Sequence, residues 1–252
     1  MGLFAALLTL AAGVAARQGG TQAATASPEQ SVYRYVTLWS VPRADWNGVE
    51  KYYASQVPTM KKLMEAGTIV GWGHARAFVH DESGITHMDW TTATSFAGLA
   101  KVPDALRAAG PLPAAFGNAD HWDEILRSSV SGGKPGAGGT GMMWVARYEL
   151  QAGQAQDFSK LFEDEIKPLF DEQVAAGTVL SYSLSFEAVH TVSPNVVTLN
   201  YLVTDAAALD KFEAALAGYE TAHPRAGAAL EEVMVTAAHR DALFEVLSFG
   251  QK

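Results

Sequence analysis

The sequence contains one segment twice. Residues 57–80 read VPTMKKLMEAGTIVGWGHARAFVH, and residues 167–190 read KPLFDEQVAAGTVLSYSLSFEAVH. A shift of 110 residues lays Pro58 on Pro168, Ala66-Gly67-Thr68 on Ala176-Gly177-Thr178, and Val79-His80 on Val189-His190. The same shift lays Ile69 on Val179 and Trp72 on Tyr182. A chain with an internal repeat has to be assembled from copies of one unit, so the unit is read before any local structure.

The unit begins as a helix. Val49, Tyr52, Tyr53, Val57, Met60, Leu63 and Met64 recur at spacings of three and four, as do Phe158, Leu161, Phe162, Ile166, Leu169, Phe170 and Val174 in the second copy. Gly67 and Gly177 stand where such helices should stop, because glycine takes the left-handed closing conformation at least cost. A β-rich strand follows each glycine, then a turn near 81–84 or 191–195, then a second strand over 85–92 or 196–204. Across this turn the shift is read as 111, with one residue inserted in the turn, so that Met88-Asp89-Trp90 lies on Leu199-Asn200-Tyr201. Second helices are predicted over 95–106 and 205–216, and closing strands lay His121-Trp122-Asp123 on His239-Arg240-Asp241 at a shift of 118. Opening strands over 32–41 and 142–150 complete a β-α-β-β-α-β order in each half, the ferredoxin-like unit.

This order of elements, the A-G-T junction between helix and hairpin, and the H-x-D closing strands resemble the dimeric α/β barrel superfamily. More narrowly, the chain resembles tandem, secreted members that carry two such units. The resemblance covers about residues 32–247. It implies an α+β fold in which two four-stranded antiparallel sheets form one barrel within the chain, with helices outside. The superfamily includes cofactor-free monooxygenases, haem enzymes, muconolactone-type isomerases and stress-response proteins, so the fold by itself selects no reaction.

The expected layout is a signal-peptide-like segment over 1–30, a first repeat over 31–128, a Gly-rich linker over 129–141 and a second repeat over 142–252. Residues 3–16 form an apolar run too short to span a bilayer comfortably, followed by small-residue cleavage options. Export to the periplasm or the extracellular space is therefore expected, with no stable membrane span in the mature protein. No Lys or Arg precedes that run, which departs from the usual leader pattern. The chain has no Cys, which removes disulfides, thiolate catalysis and Cys-ligated metals. A net charge of −9 without a basic run argues against nucleic-acid binding. The 129–141 stretch lacks a phosphate-loop pattern and reads as a flexible connection.

Strands send alternate side chains to opposite faces. Met88, Trp90, Leu199, Tyr201, Trp122, Leu126, Phe244 and Val246 suit the helix-covered face. That assignment turns His87, Asp89, His121, Asp123, Asn200, His239 and Asp241 into the barrel, with His74 and Arg76 near them. Polar groups converging in a pocket define the candidate site. His87, Asp89, His74 and Arg76 are the candidate catalytic set, a His serving as base and Arg76 stabilising an oxyanion. Trp72, Tyr182, Asn200, His121, Asp123, His239 and Asp241 are candidate ligand contacts, although the His–Asp pairs could equally be structural. No H-x-x-x-H or H-E-x-x-H spacing occurs, and no metal ligand or cofactor is assigned. The expectation is an exported barrel that binds a small organic molecule inside, with monooxygenase-like or isomerase-like chemistry in view. The alternatives are a non-catalytic assembly protein and a His-ligated metal or haem protein.

Overall fold

The computed structural model describes residues 32–80, 83–190 and 195–252. The signal-peptide-like segment over 1–30 lies outside the described residues. Among the described residues there are eight strands: β1 (Val32–Ser40), β2 (Gly71–Ala77), β3 (His87–Ala93), β4 (Asp120–Gly133), β5 (Gly138–Glu149), β6 (Val179–Glu187), β7 (Val196–Val203) and β8 (Arg240–Gln251). They close into one antiparallel barrel in the order β1-β3-β2-β8-β5-β7-β6-β4. Each half supplies four neighbouring strands, and the halves meet along two seams, β2 with β8 and β4 with β6. The fold is the expected α+β barrel built from two ferredoxin-like repeats.

The helices are α1 (Trp46–Glu65), α2 (Phe96–Ala109), α3 (Ala155–Leu161), α4 (Lys167–Ala175), α5 (Ala206–Ala222) and α6 (Pro224–Val233). The repeated A-G-T junction closes α1 and α4 in the same way. Gly67 and Gly177 sit at φ 73° and 78°. In each copy the glycine N–H and the following threonine N–H donate to the last turn, Thr68 to Leu63 O at 3.0 Å and Thr178 to Gln173 O at 2.9 Å. This double bond satisfies carbonyls that a helix end would otherwise leave open. The second helices start alike too, with the Ser95 and Asp205 side chains accepting from the N–H groups of Gly98 and Ala208.

The two halves are not related by one constant shift. Val36 pairs with Glu124, and Val145 with Ala242, so the opening strands correspond at a shift of 109. Trp72 pairs with Thr91, and Tyr182 with Tyr201, so both hairpin strands correspond at 110. The extra residue is therefore absorbed between β5 and β6. The π-turn Phe162–Ile166 joins α3 to α4 there, while the first half has one unbroken helix. A π-turn holds one residue more than an α-turn, so it takes up an insertion without ending the helix. The inserted residue expected in the hairpin turn is thus in the helix instead. Asp89 corresponds to Leu199, and Trp90 to Asn200.

That one-residue slip exchanges the faces of a strand. Val36, Leu38, Met88, Trp90, Leu126, Met143, Leu202, Phe244 and Val246 form one buried cluster across six strands, which places them in the lumen. Met88, Trp90, Trp122, Leu126, Phe244 and Val246 were expected on the helix side and point inward instead. Gly73 makes space for this arrangement, because a Cβ there would come within 2.1 Å of the Trp90 ring. The outer face packs on helices through Val49, Tyr53 and Phe116 in one patch and Met60, Ile69 and Val102 in another. Phe170, Tyr201 and Phe212 do the same in the second half.

The Gly-rich connection is narrower than expected. β4 runs through Gly133 and β5 starts at Gly138, so residues 134–137 alone join the halves. Pairing with neighbouring strands holds Gly132, Gly133, Gly138 and Gly141 in the sheet, and Gly136 turns the chain at φ 72°. Gly132 also leaves room for the Tyr182 ring, which an added Cβ would meet at 2.5 Å.

Candidate functional site

The lumen holds a cavity of about 410 Å³. Its walls are mainly apolar: Val36, Leu38, Met88, Trp90, Leu126, Met143, Val145 and Phe244. Its mouth is ringed by Ser83, Ile85, Trp122, Arg240 and Asp241. Charged residues on the inward face of four strands bring polar chemistry inside. These are Arg34 on β1, Glu124 on β4, Arg147 on β5 and Arg240 on β8.

Two polar groupings result. On one wall Arg147 Nη1 donates to Glu124 Oε1 at 2.7 Å, and its Nη2 lies 3.9 Å from Glu187 Oε1. Glu124 is only 6% exposed, so the arginine is what makes its burial tolerable. At the inner end Arg34 Nη1 donates to Asn200 Oδ1, and Arg34 Nε reaches Thr92 Oγ1 at 3.5 Å. Ser183 Oγ also donates to Asn200 Oδ1, at 3.2 Å. Burial lowers the Arg34 pKa to about 10, so the guanidinium remains charged at neutral pH. A cavity with aromatic and aliphatic walls and a few convergent polar groups suits a small organic molecule. Chemically, Arg34 could stabilise a developing oxyanion, and Glu124 is a buried carboxylate on the cavity wall that could serve as a base.

The expected catalytic set lies elsewhere. His74, His87 and Asp89 face α1 on the outside of the barrel. His74 stacks on Tyr53 with ring centroids 4.5 Å apart, and its Nδ1 pairs with Ser248 Oγ at 3.0 Å. Asp89 accepts from Trp39 Nε1 at 2.8 Å and from the Tyr53 hydroxyl at 3.4 Å. Burial raises the Asp89 pKa to about 6, despite those two donors. Burial likewise lowers His74 to about 3, and burial followed by the Arg76 charge lowers His87 to about 4. Arg76 is bound between Glu50 of α1 and Glu245 of β8, which spends its charge outside the barrel.

The expected ligand contacts divide in the same way. Asn200 reaches the cavity as expected, and Asp241 borders its mouth. Asp241 is committed to Trp144 Nε1 and His239 Nε2, each at 3.0 Å. His121 stacks on Trp39 and His239 on Tyr148, matching outer-face pairs in the two halves. Asp123, beside His121 on the outer face of β4, has a buried Oδ1 without a hydrogen-bond partner. Trp72 lies over Gly250 at one seam, and Tyr182 lies over Gly132 at the other, with its hydroxyl donating to Asp171 of α4. Among the described residues, no histidine borders the cavity. Among the described residues, no group of three His, Asp or Glu is arranged to hold a metal ion.

Sequence reasoning missed Arg34, Glu124, Arg147 and Trp90. For the two arginines the available signal was one isolated charge within each of the apolar stretches VYRYV and MMWVARY, whereas Glu124 stands in the charged stretch DEILR and carries no such mark. A charge alone in a buried strand points to a place where it is paired or used.

No family model matches the chain, and no curated protein matches it. Solved structures do. A candidate monooxygenase from Lactobacillus acidophilus superposes with a TM-score of 0.64 at 11% identity, covering 88% of this chain and 97% of that one. A candidate monooxygenase from Fusobacterium nucleatum gives a TM-score of 0.65 at 10% identity, covering 90% and 96%. An anthrone oxidase-like protein gives 0.50 at 11% identity, covering 88% and 93%. At such identities the likeness concerns the fold. With the closed eight-stranded barrel and its external helices, it shows that the chain has the dimeric α/β-barrel fold, completed within one polypeptide.

Proposed function

We propose that the protein binds a small organic molecule inside the barrel. The observation that carries this reading is the cavity of about 410 Å³, walled by apolar side chains and bordered by Arg34, Asn200, Glu124 and Arg147. Its volume lies within the usual range for ligand pockets, roughly 300–1,000 Å³. The site is the lumen and not the His–Asp cluster under α1. The test is a titration with N-phenyl-1-naphthylamine, a neutral apolar fluorophore. Saturable one-to-one binding with a rise in Tm is expected, since a ligand that binds only the folded state stabilises it. A linear, non-saturating response would overturn the reading.

A second reading adds catalysis without a bound cofactor. The neighbours described as candidate monooxygenases and as anthrone oxidase-like favour it. Within this chain Arg34 would hold the oxyanion of a deprotonated, electron-rich substrate, and Glu124 would take the proton. Oxygen uptake with anthrone tests this: one anthrone and one O₂ give anthraquinone and water. Uptake no faster than without protein removes this reading and leaves the binding reading intact. The metal or haem alternative has lost the inward histidines on which it rested. Export is part of the same proposal, and the N-terminal sequence of protein recovered from outside the cytoplasm would test it.

A further inference from the structure

Arg34 and Asn200 stand between two chambers. Beyond them a second cavity of about 270 Å³ opens toward the other end of the barrel, bordered by Thr92, Ser128, Ser131, Ser183 and Gln251. Arg34, Trp90, Met143 and Asn200 border both cavities and form the partition.

Two half-buried arginines of the lumen are treated differently. Arg147 has Glu124 and Glu187 beside it. Arg34 has only neutral acceptors, Asn200 Oδ1 and Thr92 Oγ1, and among the described residues no carboxylate pairs with it. A guanidinium carries five donors in a planar fork that matches a carboxylate. A buried cation without a counter-ion is costly, and the cost is recovered when an anion arrives. The chamber's other border charges balance, which leaves the Arg34 charge in excess. Its border carries Arg34, Arg147 and Arg240 against Glu124 and Asp241, in a chain whose net charge is −9. Arg240 at the mouth and Arg34 at the inner end bracket an apolar path.

We infer that the ligand is an organic carboxylate with an apolar, ring-sized body, and that Arg34 receives its carboxylate while Trp90 packs on the body. This rests on the barrel-interior reading above. Asn200 holds the guanidinium in place until the ligand supplies a charged acceptor. Charge-assisted bonds to a carboxylate are stronger than bonds to an amide oxygen, which makes Arg34 the group that determines specificity.

Calorimetry on the full chain with a matched pair, 1-naphthoate and the neutral 1-naphthalenemethanol, tests this. The expected result is a preference of about tenfold or more for naphthoate, reduced by salt. Arg34→Met should remove the preference and still bind the alcohol, and Arg34→Lys should retain part of it. The wild-type ratio needs no variant, so a misfolded Arg34→Met leaves the inference testable. Equal binding of the two probes by the wild type, or a preference that survives Arg34→Met, overturns the inference and leaves the chamber reading intact. Binding of neither probe overturns both.

Discussion

Gly73→Ala tests how tightly the sheet is packed around Trp90. An alanine Cβ at this position would lie 2.1, 2.2 and 2.7 Å from three atoms of the Trp90 six-membered ring. Ordinary contact begins near 3.4 Å, so the ring must retreat by about 1.3 Å. The ring is 8% exposed and stands among Val36, Leu126 and Phe244, so that retreat overpacks the lumen. Overpacking costs about 1–3 kcal/mol. Replacing Gly with Ala returns about 0.4–1 kcal/mol by restricting the unfolded chain. A net loss of about 1–2 kcal/mol is expected, a fall of roughly 2–8 °C in Tm for a chain of this size. Urea denaturation in a double-mutant cycle with Trp90→Leu isolates the contact. In the Trp90→Leu background Gly73→Ala should cost nothing, giving a coupling of about 1 kcal/mol or more. Equal costs in the two backgrounds, within about 0.5 kcal/mol, would refute the close packing of the Trp90 ring over Gly73.

Further outcomes follow from the charged groups. Arg147→Met strands the buried Glu124 and should cost about 3–5 kcal/mol in urea denaturation, whereas adding Glu124→Leu should restore most of it. His74 and His87 have folded pKa values lowered to about 3 and about 4, below the ordinary 6.5, so the unfolded chain binds more protons in acid. Their contribution is complete above pH 6.5 and is lost as pH falls toward 4, so calorimetry should find His74→Phe less sensitive to acid over that range. Asp89 has the opposite sign. Its folded pKa is raised from 3.8 to about 6, so the folded state holds the extra proton and stability declines as pH rises through that interval. Asp89→Asn should flatten that decline and exceed the wild type in Tm at pH 7.

The architecture was legible because its signals are local and doubled. Gly67 and Gly177, the helical spacings around them and the hairpins that follow specify the ferredoxin-like unit twice. The face of each strand was not legible in the same way. Period-two alternation gives two sets of side chains but not which set is inside. In β3 the sets are Met88 with Trp90 and His87 with Asp89, and either can be buried in a barrel with helices outside. The outer layer under α1 accepts polar groups because Trp39, Tyr53 and Ser248 supply their hydrogen bonds. The misplaced insertion compounded the error, since it laid Asp89 on the inward Asn200. Its true position is a π-turn, which leaves no local mark in composition or periodicity. Arg34 and Asn200 are 166 residues apart, and only barrel closure brings them together.

The most direct test of the account is where a ligand binds. N-phenyl-1-naphthylamine affinity should be measured for the wild type, for Val145→Trp, which plugs the chamber, and for His74→Phe/Asp89→Asn, which alters the outer cluster and keeps its packing. The lumen account predicts that Val145→Trp abolishes binding while the outer-cluster variant matches the wild type. Binding that survives the plug, or that is lost with His74 and Asp89, would contradict it.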